Sequence, residues 1–190
     1  MRIAFKEWAV VVDALARGAQ ILILRKGGIA EGAGGFRPEH EEFWLFPTQF
    51  HQQRDSVLPA AQSRYDEIAP HFPEAGVVRL AHFARVTGTY RLESLEAAQR
   101  LRPMHIWSDE VIAQRFDWGA DRSIHALLVR VFQIPSPVEL PMSATYGGCK
   151  SWVTLERDVD TEGASPVLDE GTFAERSAQA REALAGVGAP

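Results

Sequence analysis

The run Ile124-His-Ala-Leu-Leu-Val-Arg-Val-Phe132 constrains this chain more than any other segment. Its mostly aliphatic residues read as a buried strand, and Pro135, Pro137 and Pro141 are expected to break it off. Such a strand needs a sheet around it, and four other segments qualify. Residues 20–25 (Gln-Ile-Leu-Ile-Leu-Arg) form a short apolar run, and residues 42–46 form another that Pro47 is expected to end. Residues 77–92 alternate between two faces, as a long strand or a hairpin bent at Gly88 would, and residues 150–155 make a last strand.

Helices fill the intervals. Trp8, Val11, Val12 and Leu15 recur at helical spacing, which predicts a helix over 6–17 stopped by Gly18. A second is expected over 57–71, with Pro59 in its first turn and Pro70 and Pro73 closing it. Ser94 and Ser108 are placed to cap short helices over 95–101 and 109–116, and a final helix is expected over 172–184. Residues 48–53 carry no assignment, and the glycine-dense stretch 27–35 has too little side chain to pack and is expected to be mobile.

The expected fold class is therefore α+β: a mixed, strongly curved sheet or small β-barrel flanked by helices, with a C-terminal helical extension. At 190 residues and 46% hydrophobic content, one core needs no disulfide or metal to hold it. A single domain is expected over residues 1–155, and 156–190 reads as an acidic extension with one helix. Charge supports that division, because residues 1–155 carry 17 basic and 17 acidic side chains whereas 156–190 carry 3 and 8. A neutral body argues against a protein that coats duplex DNA without sequence preference, and leaves room for a local basic pocket.

No apolar run reaches the roughly 18 to 20 residues that cross a bilayer, and the start Met-Arg-Ile-Ala-Phe-Lys-Glu-Trp has no signal-peptide apolar region. With the lone Cys149, which excludes an internal disulfide, this leads to an expectation of a cytoplasmic protein without a membrane partner. Nothing in the sequence specifies an oligomeric state.

Four separated motifs occur in order: Arg25-Lys26-Gly27-Gly28-Ile29; Phe43-x-Leu45-Phe46-Pro47-Thr48 with His51-Gln52; His105-Ile106-Trp107 and the helix after it; and Tyr146-Gly-Gly-Cys-Lys-Ser-Trp-Val153. Together they resemble the bacterial domain-of-unknown-function family 1802 over about residues 5 to 155. The resemblance implies no assigned activity. Some relatives are associated with a restriction-endonuclease-like domain, which implies a link to DNA or to restriction and defence. A second resemblance, in Glu7-Trp8 through Arg25, is to the start of ASCH domains, relatives of PUA-like barrels that bind RNA or modified nucleotides. In that signature Gly-x-Lys is followed by an acidic residue before Arg, whereas here Gly18 is followed by Ala19 and Gln20, and Leu24 precedes Arg25.

Chemistry-bearing residues cluster in these motifs. Arg25 and Lys26 stand at a strand end beside glycines, where cations and backbone N–H groups can face an anion; the alternative is a strand end reaching solvent. His51 with Gln52 and His105 offer hydrogen-bonding or acid/base groups, and Cys149 beside Lys150 offers a nucleophile for which those histidines are the candidate bases. Small residues at a tight strand entry explain Gly147, Gly148 and Cys149 equally. Trp107, Trp118, Tyr146 and Trp152 fall near element ends, where rings can stack on a base while Lys150 takes its phosphate. His40, Glu42, His51 and His105 match no compact metal spacing, so no metal or other cofactor is expected.

The leading expectation is a small binding module for a nucleotide or nucleic acid, using Arg25, Lys26, His51, Gln52, His105, Trp107, Tyr146, Lys150 and Trp152. Two alternatives stay open: an enzyme built on Cys149, or on His51 and His105 in a nuclease-like role, and a protein-interaction partner without catalysis.

Overall fold

In the computed structural model, which describes residues 1–26, 39–49, 51–119 and 121–185, with His51 as backbone only, the sheet is organised around Phe43-Trp44-Leu45-Phe46. All four are buried, and they alternate between two cores. Phe43 and Leu45 join one apolar cluster, and Trp44 and Phe46 join the other. A strand whose successive side chains point to opposite faces reads as an unbroken apolar run only when both faces are covered.

In chain order the elements are β1 (Ile3–Trp8), α1 (Ala9–Ala16), β2 (Leu22–Arg25), β3 (Glu42–Thr48), α2 (Pro59–Ile68), β4 (Val77–Leu92), α3 (Leu95–Gln99), α4 (Asp109–Asp117), β5 (Ile124–Pro141), β6 (Trp152–Thr154), β7 (Ser165–Pro166) and α5 (Glu170–Ala183). The ladder runs β2-β5-β4-β3-β1-β6, with β7 added beside β5. Among the described residues only β1 and β3 pair in parallel. This is the mixed, curved sheet of an α+β fold, and its ladder is open, with β2 and β6 at the two ends. The curl nevertheless brings those ends together: Arg25 Nε at the end of β2 donates to Ser151 Oγ, next to β6, at 2.8 Å.

Three expectations change. The helix foreseen over 6–17 is a strand followed directly by a helix, because Ala4 to Trp8 pair with Trp44 to Thr48 and that ladder overrides the local helical periodicity. Pro47 does not end β3; the register to β4 stops at Trp44, so Pro47 has a ladder neighbour on the β1 side alone and tolerates the missing N–H. The prolines of β5 do not break it either. Leu80 pairs with Val138 and His82 with Gln133, so residues 134–137, including Pro135 and Pro137, bulge opposite Ala81 alone. The same irregularity puts Leu80 and Phe83, three residues apart, into one cluster.

Residues 77–92 form one long strand, with a register shift rather than a hairpin at Gly88. Ser94 and Ser108 accept from the N–H groups of Ala97 and Val111, as capping residues should. Residues 48–53, left unassigned, run into a short 3₁₀ turn over His51–Ser56. The glycine-dense stretch lies outside the described residues.

The C-terminal extension docks on the body. Phe173, Ala180 and Leu184 enter the larger cluster, and β7 pairs with Phe132 and Gln133. Arg176 Nη1 donates to the carbonyl of Gly18, and Arg181 Nη2 to that of Thr87 at 2.8 Å.

Gly18, which stops α1 at φ +64, sits where an added Cβ would lie 2.4 Å from Leu168 Cδ2. Gly18→Ala is therefore expected to cost about 1 to 3 kcal/mol through steric overlap and a left-handed backbone. Adding Leu168→Ala should relieve the overlap, so that denaturant titration of both single variants and the double variant gives clear non-additivity; simple additivity would refute the contact.

Candidate functional site

Two of the clefts among the described residues hold side chains singled out by the sequence. The first, ≈370 Å³, is lined by Trp8, Arg25, Lys26, Ser56, Val111, Gln114, Arg115 and Trp118. The helix α4 and its C-cap residue Trp118 supply half of this wall, since positions 111, 114 and 115 fall at i, i+3 and i+4 on one face of the helix and Trp118 follows its last residue. The opposite wall comes from the ends of β1 and β2.

Arg115 forms the floor. Its guanidinium lies 5.0 Å from the ring centre of Trp8 and 5.1 Å from that of Trp107, and its Nη1 donates to the Leu24 carbonyl at 2.8 Å. Burial pushes its pKa down to about 10, with the Glu7 carboxylate acting upward and Arg25 downward, so the group remains a cation at neutral pH. Among the described residues no carboxylate forms an ion pair with it; the π faces and a carbonyl hold it instead. Trp118, at the cleft's rim, is 50% exposed.

Arg25 reaches the first cleft over the Phe5 ring, at 5.4 Å. Lys26 also lines it, but its Nζ donates to the carbonyls of Ser123 at 2.9 Å, of Asp121 and, at 3.4 Å, of Phe116. Lys26 thus anchors the end of β2 to the loop before β5. Burial lowers its pKa.

The second cleft, ≈450 Å³, lies between residues 46–49, 74–78 and 146–149 and includes Lys6 and Met142. Lys6 Nζ donates to the carbonyls of Tyr146 at 2.9 Å and Gly148 at 2.7 Å. Its pKa is lowered, first by burial and then by Lys150 and Arg25, against an opposing pull from Cys149. Lys150 Nζ donates to the Thr145 carbonyl at 2.5 Å. Cys149 is exposed at this cleft.

The structure therefore brings Arg25 and Lys26 to one cleft, and Cys149 and the Tyr146-Gly-Gly turn to another. Trp107 and Tyr146, expected as stacking platforms, are core residues: Trp107 is fully buried beneath Arg115, and Tyr146 packs on Phe46 while its hydroxyl accepts from Glu156 N. Trp152 packs against Phe5, Phe43 and His40. His105 is buried against Trp107 and lines neither cleft, so it is not placed to serve Cys149 as a base. Gln52 is exposed, and the side chain of His51 lies outside the described residues. Sequence reasoning missed Lys6, Gln114 and Arg115. The face of α4 over 111, 114 and 115 was the available signal, with a polar Gln and Arg where a buried face would carry apolar groups.

A family model described as Domain of unknown function (DUF1802) matches residues 4–179. The chain belongs to the DUF1802 family. The match continues through much of the segment after residue 155, including most of α5. No curated protein matches the DUF1802 chain. Among solved structures it is similar to the ASCH protein of Zymomonas mobilis, at 11% identity and TM-score 0.46, covering 82% of this chain and 87% of that one. A mutant form of that protein gives 13% identity and TM-score 0.47, with 82% and 90% covered. No helix among the described residues is long and apolar enough to cross a membrane.

Burial, aided by the charges of Arg102 and Arg115, holds the pKa of His105 down to about 4. A histidine that is neutral when folded and titrates near 6.5 when unfolded takes up its proton only in the unfolded chain between those values. Stability is therefore expected to fall as pH drops from about 6.5 toward 4, by on the order of 3 kcal/mol from this residue. Urea titrations across that range should show His105→Phe with a correspondingly flatter loss than the parent; identical slopes would mean that His105 is not held neutral.

Proposed function

We propose that the first cleft binds a nucleotide, or an unpaired base with its phosphate in a nucleic acid. What carries this reading is the pairing of exposed Trp118 with two guanidinium groups, Arg25 and Arg115, in one cleft. Base rings have a π face that stacks on indole, and phosphate oxygens accept from guanidinium in fork geometry. Arg115 is suited to the charged part, because its stacking between Trp8 and Trp107 fixes its orientation before any ligand arrives. Gln114 and Ser56 add donors and acceptors at the wall for reading a base edge.

The neutral body fits a local pocket better than a duplex-coating surface. The Cys149 alternative has less support, since no histidine among the described side chains lines its cleft.

Titration with mononucleotides, followed by tryptophan fluorescence and calorimetry, tests the proposal. Trp118→Ala is expected to weaken binding by about 1 to 3 kcal/mol, the usual worth of a stacked base, while leaving thermal stability nearly unchanged because the side chain is half exposed. Arg25→Ala should weaken phosphate-bearing ligands and spare the bare nucleoside. Equal affinity of parent and Trp118→Ala, or no binding by any nucleotide, would reject the reading.

A further inference from the structure

Arg25 of the first cleft and Lys6 of the second both bond to Ser151, with Lys150 beside it, and we infer that the ligand is a single-stranded oligonucleotide that crosses this ridge of cations, with one unpaired base in each cleft. This rests on the nucleotide reading of the first cleft and extends it to the second. Arg25 belongs to the first cleft's lining, and its Nε is bonded to Ser151 Oγ at 2.8 Å. Lys150 precedes that serine, whose backbone carbonyl accepts from Lys6 N at 2.8 Å. Lys6 in turn belongs to the lining of the second cleft, and both Arg25 and Lys150 act on it electrostatically. Ser151 is fully buried, so the line from one cleft to the other is drawn by the three partly exposed cations around it, Arg25, Lys150 and Lys6.

Three cations side by side repel one another unless anions lie among them. Among the described residues none of the three forms an ion pair with a carboxylate, although many of the arginines elsewhere do. Their bonds go to neutral oxygens instead: Lys6 to two carbonyls, Lys150 to one, and Arg25 to a hydroxyl. An ammonium has three donors and a guanidinium five, so each retains capacity toward an anion. A phosphodiester between two nucleotides is an anion of the right kind for this ridge.

The second cleft suits a base or sugar more than a second phosphate. Phe46, Pro47, Val78 and Met142 make its lining largely apolar, and Met142 is 45% exposed. Glu74 also lines it and would repel a phosphate there, so the anionic part of the ligand is directed toward the cations. Two such clefts admit unpaired bases, whereas a duplex keeps its bases stacked inside.

The chain's single cysteine supplies the probe, since Cys149 is exposed and lines the second cleft. Affinity would be measured for mono- and tetranucleotides of RNA and DNA and for a short duplex, alongside the rate of Cys149 alkylation by iodoacetamide. The tetranucleotide is expected to bind at least about 10-fold tighter than the mononucleotide and to slow alkylation several-fold at saturation, which the mononucleotide should not do. Lys150→Gln should remove much of the length gain and reduce the salt dependence of tetranucleotide binding by about 0.7 in log–log slope. Equal affinity for mono- and tetranucleotide, unprotected Cys149, or tighter binding of the duplex would each overturn the two-cleft reading. If mononucleotides bind and length adds nothing, only this extension fails; if no nucleotide binds, the nucleotide reading fails with it.

Discussion

Everything in this fold follows from covering both faces of β3. Its partner β1 obeys the same alternation, with Phe5 facing the larger core and Ala4 the smaller. The larger core recruits Val11 and Leu15 of α1, Ile112 and Phe116 of α4 and Phe173 of α5, whereas the smaller is closed by Tyr146 and Val159. Because the side-chain period in a strand is two, a one-residue slip of β1 on β3 would exchange these sets, so the register is tightly specified. The clefts inherit that precision: Trp8 ends β1 in the first, and Thr48 ends β3 in the second.

Arg115 shows how the larger core tolerates a charge at its edge. Removing a cation from water costs several kcal/mol even after relaxation. A direct carboxylate partner would offset that cost and also neutralise the site. Here two indole faces and the Leu24 carbonyl do the stabilising, and the Glu7 carboxylate acts without a direct bond. Glu7 is itself buried; one oxygen accepts from Trp8 N at 2.8 Å and the other has no hydrogen-bond partner among the described residues. The result is a cation retained at the floor of an open cleft with its charge uncancelled by contact.

The strands with strong apolar runs, at residues 20–25, 42–46 and 124–132, were legible because burial on two faces leaves a compositional trace. So were the serine caps of α3 and α4, whose side-chain acceptors act within three residues. What was not legible depended on distant partners. Residues 6–8 satisfy a helical pattern locally, and only the parallel ladder to β3 makes them a strand. Pro135 and Pro137 look like terminators unless the bulge opposite Ala81 is known. At the candidate site the same division holds: Arg25 stood out at a strand end, whereas Trp107 and Tyr146 near element ends gave no sign that Arg115 and Phe46 would cover them.

The balance of 17 basic and 17 acidic side chains in residues 1–155 leaves room for a local basic pocket, and the partners of the individual charges show how. Exposed arginines such as Arg54, Arg79, Arg85 and Arg122 sit on carboxylates of Asp66, Glu139, Glu42 and Asp117, so they spend the acidic residues locally. Surface pairs of this sort contribute little to stability, on the order of 0 to 1 kcal/mol each, but they cancel field efficiently. Lys6, Lys26, Arg115 and Lys150 instead bond to backbone carbonyls, which hold a cation in place without removing its charge. Cations without a carboxylate partner among the described residues therefore line both clefts while the net charge of the body stays at zero. A neutral sum is thus compatible with local cations that keep their charge, because a carbonyl partner orients a cation where a carboxylate would also cancel it.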